Sequence, residues 1–193
     1  MKSIFTIAVI ILSLLTFPKI CLSETDSSPG FSMMPTTPEG QQRREKFKKN
    51  FLQRLRKDSN TLTPFQLKEI EDLYQVANIR PRTPEAKQNL LQIISTPDWE
   101  DANRTGCAFL YLATNFTEGE EMEVYLKTAI QSYSDCWYGD GVQVGAYGRY
   151  LLGKYYWGTG RKEEAVTLFN ELKDTYPDSI GHCGELLVDK IPK

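Results

Sequence analysis

Residues 146–179 read AYGRYLLGKYYWGTGRKEEAVTLFNELKDTYPDS, two helix-length apolar patterns on either side of a glycine turn. Leu152-Gly153 is followed by Tyr156, then by Gly160, Ala165, Phe169, Leu172 and Pro177. The steps of three and four residues are helical. Gly153 and Ala165 are small where two antiparallel helices cross closely, Tyr156 and Phe169 fill the seam, and Gly160 turns the chain. Pro177 ends the second helix.

A second, fainter copy lies upstream. In residues 103–136, Leu110 and Ala113 face Met122, Leu126 and Ala129 across a Glu118-Gly119-Glu120 turn. On these residues the chain resembles the tetratricopeptide repeats, with one full 34-residue unit at 146–179 and a degenerate one at 103–136. It departs from that family where Arg149 replaces a bulky aromatic and Leu172 replaces a small residue. Between the copies, Tyr138-Gly139-Asp140-Gly141-Val142 is similar to the glycine-rich turn of the related Sel1-like repeats. Downstream, residues 180–191 with Leu186, Leu187 and Ile191 are expected to form a helix that caps the end of the stack.

Upstream of the copies, Thr63-Pro64-Phe65-Gln66 is a helix start, and Leu67, Ile70, Leu73, Tyr74 and Ala77 supply its buried face. Thr83-Pro84-Glu85 opens another helix with Ala86, Leu90, Ile93 and Ile94 inside, closed before Pro97. Together they predict a hairpin over residues 63–95, a further divergent member of the array. No sustained alternation of apolar and polar residues is present, so strands have no support. The expected fold is all-α: a short right-handed stack of antiparallel helix pairs, a tetratricopeptide-like solenoid over residues 62–193, with a C-terminal capping helix.

Residues 42–58 repeat Phe47, Phe51 and Leu55 every four positions and predict a basic amphipathic helix. Residues 39–58 carry eight Lys or Arg against three acids. Arg43, Arg44, Lys46, Lys48, Lys49, Arg54, Arg56 and Lys57 are expected to cover the face away from the apolar stripe. Residues 24–41, rich in Ser, Thr, Pro and Gly, read as a flexible leader. Residues 1–23 read as a secretory signal peptide: Lys2, an apolar run from Ile4 to Leu15, and Cys21-Leu22-Ser23 at its end. That run is shorter than the roughly 20 residues of a membrane-spanning helix. The expected location is therefore exported, either periplasmic or secreted, with an uncleaved anchor as the alternative that this length disfavours.

Composition narrows the chemistry. The chain has 193 residues, 40% hydrophobic and 25% charged, with a net charge of −2 and a single histidine, His182. These are the proportions of a folded protein, and one histidine supports neither a di-histidine zinc site nor a recognisable triad. The acidic balance argues against nucleic acid as a partner. Cys107, Cys136 and Cys183 form no Cys-x-x-Cys pair, and two readings stay open for them: in an oxidising compartment one disulfide of open connectivity with one thiol left over, or plain buried thiols. Glu163-Glu164, Glu120-Glu121 and residues 98–101 hold neighbouring carboxylates, read as acids at helix starts. A metal site from His182, Cys183 and Cys136 is disfavoured, because adjacent ligands seldom point at one ion. Asn103-Arg104-Thr105 and Asn115-Phe116-Thr117 fit the N-glycosylation acceptor.

The resemblance implies a concave groove lined by the leading helix of each pair. Candidate groove residues are Tyr147, Tyr150, Lys154 and Trp157 in the clear repeat, and Arg104, Tyr111 and Asn115 in the faint one. Tyr, Trp and Arg are the residue types of binding surfaces. Two readings of this stripe stay open: a groove for a protein or extended peptide, or ordinary core packed against the 63–95 hairpin. The expected function is a non-catalytic exported scaffold or assembly factor of a bacterial envelope, with no cofactor and no metal. The alternative is a structural protein whose basic helix binds an anionic membrane or a cell-wall polymer.

Overall fold

Three successive helices begin at a Thr-Pro pair. The computed structural model describes residues 37–193. Helix α1 spans Pro38–Thr61, α2 Pro64–Ile79 and α3 Pro84–Ser95. Each is entered by a threonine cap whose hydroxyl accepts a backbone N–H, from Gly40 onto Thr37, Gln66 onto Thr63 and Ala86 onto Thr83. Proline at the first helical position gives up an N–H that has no helical partner there. At Thr63 the box is closed by Gln66, whose side chain accepts the Thr63 N–H at 3.0 Å. Helix α1 starts inside the stretch expected to be a flexible leader, because Thr37 and Pro38 form such a start. The stretches expected to be a signal peptide and the rest of a leader, residues 1–36, lie outside the described residues.

Four further helices follow: α4 at Asn103–Asn115, α5 at Gly119–Ser132, α6 at Val144–Gly158 and α7 at Lys162–Thr175. Among the described residues the fold is all-helical, with seven α-helices and no strand. From α2 to α7 each helix packs on its neighbours in sequence. One core runs through them, from Ile70 and Tyr74 of α2 to Tyr156 of α6 and Phe169 of α7.

The helices after α3 repeat at an offset of 43 residues. Helix α7 occupies the positions of α5 moved on by that number, and α6 overlies α4 in the same way. The connecting loops repeat too. In residues 133–143, Tyr138 N–H donates to Val142 O at 2.8 Å, Gly141 to Tyr138 at 3.0 Å and Val144 to Cys136 at 2.9 Å. In residues 176–186, Gly181 donates to Glu185 at 2.9 Å, Gly184 to Gly181 at 2.9 Å and Leu187 to Ser179 at 3.0 Å. Each loop closes with an isolated antiparallel bridge, Trp137 with Gln143 and Ile180 with Leu186. Tyr133, Asp135 and Gly141 recur as Tyr176, Asp178 and Gly184, and the other side chains of the two loops differ. The glycines are required, at φ of 87° and 79°, where a side chain strains the backbone.

Inside the helix pairs, volumes are exchanged. Leu110 and Leu126 of the first pair correspond to Gly153 and Phe169 of the second. A Cβ on Gly153 would stand 2.5 Å from the Phe169 ring. One large and one absent side chain thus replace two of middle size, which keeps the seam filled.

The C-terminal end differs from expectation. Instead of a capping helix there is the second loop followed by a single 3₁₀ turn, Leu187–Lys190. Leu187 is fully buried and packs with Ala146, Tyr150 and Leu172, while Ile191 lies against them. The cysteines also differ. Cys107 and Cys136 are buried thiols outside any disulfide, while Cys183 is disulfide-bonded, so the bridge joins no two of the three candidates. Burial, with Cys107 nearby, pushes the Cys136 thiol well above its ordinary value.

Candidate binding surface

The predicted groove divides into a covered half and an open one. On α4, Arg104 is buried and forked onto Glu71 of α2, with Nε and Nη2 at 2.7 and 3.1 Å from its oxygens. The guanidinium lies 4.5 Å from the Tyr74 ring centroid and 5.5 Å from that of Phe51. Burial acts to lower its pKa, but Glu71 outweighs that and holds the charge in place. Tyr111 donates its hydroxyl to Ala77 O at 2.7 Å, and burial pushes its pKa up to about 12. Asn115 donates to Tyr111 O at 3.2 Å and accepts from Arg82 at 3.4 Å. This half of the stripe is therefore packed against the 63–95 hairpin. Arg104 in particular is core and not a groove residue.

On α6, Tyr150 is 1% exposed. It belongs to the C-terminal core, because Leu187 and Leu172 close over it. The outward role expected of it is thus corrected. Tyr147 is half-buried, with its ring stacked on Tyr150 at 6.1 Å and set edgewise to His182 at 5.1 Å. Lys154 is half-buried, its Nζ 5.5 Å from the Tyr150 centroid. Trp157 is half-buried beside Phe169, with Lys162 Nζ 3.5 Å above its ring. Tyr147, Lys154 and Trp157 are thus the groove candidates on α6 that keep access to solvent.

The basic helix is turned inward more than its pattern predicts. Arg54 is 7% exposed and pairs with Asp58, and also reaches Asp135 at 3.4 Å and the carbonyl of Asp101. Asp58 in turn accepts the Asn103 N–H at 2.9 Å. Arg54 is therefore no part of an exposed basic face. Lys57 meets Asp135 at 3.0 Å and Lys46 meets Asp178 at 3.1 Å, the same aspartate of the two repeated loops. Arg43 donates to Gly184 O at 3.2 Å, and Lys48 pairs with Glu45 at 3.3 Å. Arg44 is half-buried, with its carbonyl 2.9 Å from where a Cβ of Gly141 would stand. Lys49 and Arg56 are exposed. The apolar stripe is held by Phe51, buried beside Gly139, and by Phe47, stacked on Trp137 at 5.8 Å.

Two groupings were not legible in the sequence. His182 Nδ1 lies 2.8 Å from Asp140 Oδ2, between the edges of Tyr138 and Tyr147. Asp140 and His182 sit in different loops, 42 residues apart, and only the fold places them side by side. Among the described residues no group of three metal-ligating side chains forms. The second grouping is an open depression of about 510 Å³, lined by Glu120, Glu123, Val124, Lys127, Tyr155 and Arg161. Glu123 accepts from Arg161 at 2.6 Å and from the Tyr156 hydroxyl at 2.7 Å, and pairs with Lys127 at 2.7 Å. Arg161 above all holds its carboxyl at about 2. The Glu123–Lys127 spacing is visible in sequence, but the Arg161 partner comes from the next helix pair.

Of the two acceptor sequons, Asn103 is fully buried and bonded to both the N–H and the carbonyl of Trp137, at 2.7 and 2.9 Å. It is closed to modification in the folded chain. No helix among the described residues is long and apolar enough to cross a membrane. The chain matches no family model, no curated protein and no solved structure.

Proposed function

We propose that this chain is an exported, non-catalytic repeat protein of the tetratricopeptide-like kind. In this reading its helices form a short right-handed stack of antiparallel pairs that binds a protein or an extended peptide, as a scaffold or assembly factor in a bacterial envelope. The observation that carries the reading is the repetition of two helices and a loop at 43 residues, with the same hydrogen bonds and little shared sequence. A backbone repeated in this way presents side chains along an extended surface without a closed pocket, which suits a partner's strand or helix.

The surface that fits such a partner is the open part of α6, where Tyr147, Lys154 and Trp157 remain accessible. The depression beside Tyr155 and exposed Val124 supplies further apolar area. Half-exposed aromatic rings flanked by charges of both signs are the composition of an interface core with its rim. The test is capture from source-cell extract with the protein and with Lys154→Ala/Trp157→Ala, washed at low and high salt. Loss of a partner from the variant, with retention by the parent at high salt, is expected. Capture that ignores the substitution and disappears with salt would move the function to the basic helix.

That second reading, binding of an anionic membrane or cell-wall polymer by α1, has less to work with. Arg54 is buried, and Arg43, Lys46 and Lys57 already have partners in the loops. Lys49 and Arg56 stay exposed for it.

A further inference from the structure

Helix α1 is attached unevenly along its length. Its second half holds Phe51, Arg54 and Asp58, all buried, and Asp58 is tied to the start of α4 through the Asn103 N–H. Its first half is held differently. Gly40 lies on Gly184, Arg43 donates to the Gly184 carbonyl, Lys46 meets Asp178 between two exposed side chains, and Phe47 stacks on Trp137. Apart from Gly40, no side chain of that half is fully buried.

The contacts of this half are in register with the repeat beneath it. Gly40 sits against Gly184, and the Arg44 backbone, one helical turn on, sits against Gly141, the equivalent glycine of the other loop. Side chains are excluded at both loop positions by positive φ, so the two loops offer bare backbone at the spacing of a helical turn. Asp178 and Trp137 flank that track and supply charge and an aromatic face. The helix that lies on this track carries a glycine, basic residues three and six positions on, and an aromatic seven positions on, in the order Gly40, Arg43, Lys46, Phe47.

We propose that the loop face is a helix-binding surface which the first half of α1 occupies in cis, and that its partner is a basic amphipathic helix of this register. The partner exchanges with residues 38–50 while residues 51–61 stay anchored. Charge favours a basic occupant, since Asp178 pairs with Lys46 and the Gly184 carbonyl accepts from Arg43. In cis, the short tether gives α1 a high effective concentration, so a partner binds only as fast and as tightly as α1 lets go. This surface shares none of Tyr147, Lys154 and Trp157 with the α6 face, and either reading can fail without the other.

The experiment uses a fluorescent peptide of residues 37–51 and the full chain. Binding is followed by anisotropy to the parent, to Gly40→Val/Lys46→Glu, which alters the buried Gly40 and the Lys46–Asp178 pair of the resident helix and leaves the loop residues unchanged, and to that variant with Asp178→Lys added. At least tenfold tighter binding to the first variant than to the parent is expected, with the gain lost on adding Asp178→Lys. Hydrogen exchange on the unsubstituted chain is the companion measurement, and amides of residues 42–50 are expected to exchange at least tenfold faster than those of 52–61. Equal protection of both halves, or a peptide that binds the displaced variant no better than the parent, would overturn the proposal.

Discussion

Gly141 and Gly184 stand 43 residues apart at the same point of two loops with the same hydrogen bonds, and one turn of α1 lies across both. The Arg44 carbonyl is 2.9 Å from where a Cβ on Gly141 would be, and the Gly40 carbonyl is 2.4 Å from one on Gly184. Each glycine is thus fixed twice, by its own dihedral and by the helix pressed on it. The loops are what turns a repeat of helix pairs into a platform for α1.

Gly184→Ala is expected to destabilise the protein by about 2–4 kcal/mol, combining left-handed strain with the lost seating of Gly40, whose backbone the new methyl would meet. Gly160 has nearly the same φ, 84°, but nothing within 4 Å of a Cβ. Gly160→Ala is expected to cost about 1–2 kcal/mol, the strain alone. Urea midpoints of the two variants, with unchanged slopes, check the difference.

The exchange of volumes between Gly153–Phe169 and Leu110–Leu126 predicts a rescue. Gly153→Ala forces a methyl against the Phe169 ring and is expected to cost about 1–3 kcal/mol. Adding Phe169→Leu, the residue of the equivalent position, is expected to recover part of that loss, giving a favourable coupling of about 1 kcal/mol in a double-mutant cycle. Additive losses in thermal unfolding would mean that the two helix pairs are not packed alike.

Arg104→Ala is expected to cost about 3–5 kcal/mol, because it leaves the Glu71 carboxylate without its cation in a largely buried place, with Gln75 as a remaining donor. Arg104→Lys recovers only part, since an ammonium cannot fork onto both carboxylate oxygens. Lys154→Ala, at a half-exposed site, is expected to stay within about 0.5 kcal/mol. Chemical denaturation of the three variants separates a core arginine from a surface lysine.

Glu123 sets an acid-side dependence. Its carboxyl is held at about 2, first by Arg161, against an ordinary value of 4.5. The folded state thus favours the charged form. That stabilisation is complete above pH 4.5 and fades as the pH falls towards 2. Solvent screening limits it to about 1 kcal/mol or less, because the surrounding ion pairs are open to water. Glu123→Gln is expected to flatten the decline of thermal stability between those pH values.

Much of the fold was legible because its signals are local. Thr63, Pro64 and Gln66 form their capping box from adjacent residues, and Gly160 turns the chain by its own dihedral freedom. The offset between residues 103–136 and 146–179 could be read from apolar spacing even though Leu110 and Gly153 differ greatly in volume. The loops were harder. Three shared side chains out of a loop are too few to announce a repeat, and the hydrogen bonds that make the loops alike belong to the backbone, which side-chain identity does not report.

The amino-acid sequence by itself determined where α2 and α3 begin, which residues form their buried faces, and that strands are absent from the described residues, because capping, proline and periodicity act within a few residues; the start of α1 and the non-helical C-terminal end were not read from it. Only the tertiary structure decided which polar and aromatic side chains face water. Arg104, Tyr150 and Arg54 have the spacing of surface residues, yet α2, the C-terminal turn and the loop aspartates cover them. An amphipathic helix marks its most apolar face in sequence; what packs on its other faces depends on neighbours brought up from tens of residues away, and burial of a charge or a ring is settled by whether those neighbours supply a partner.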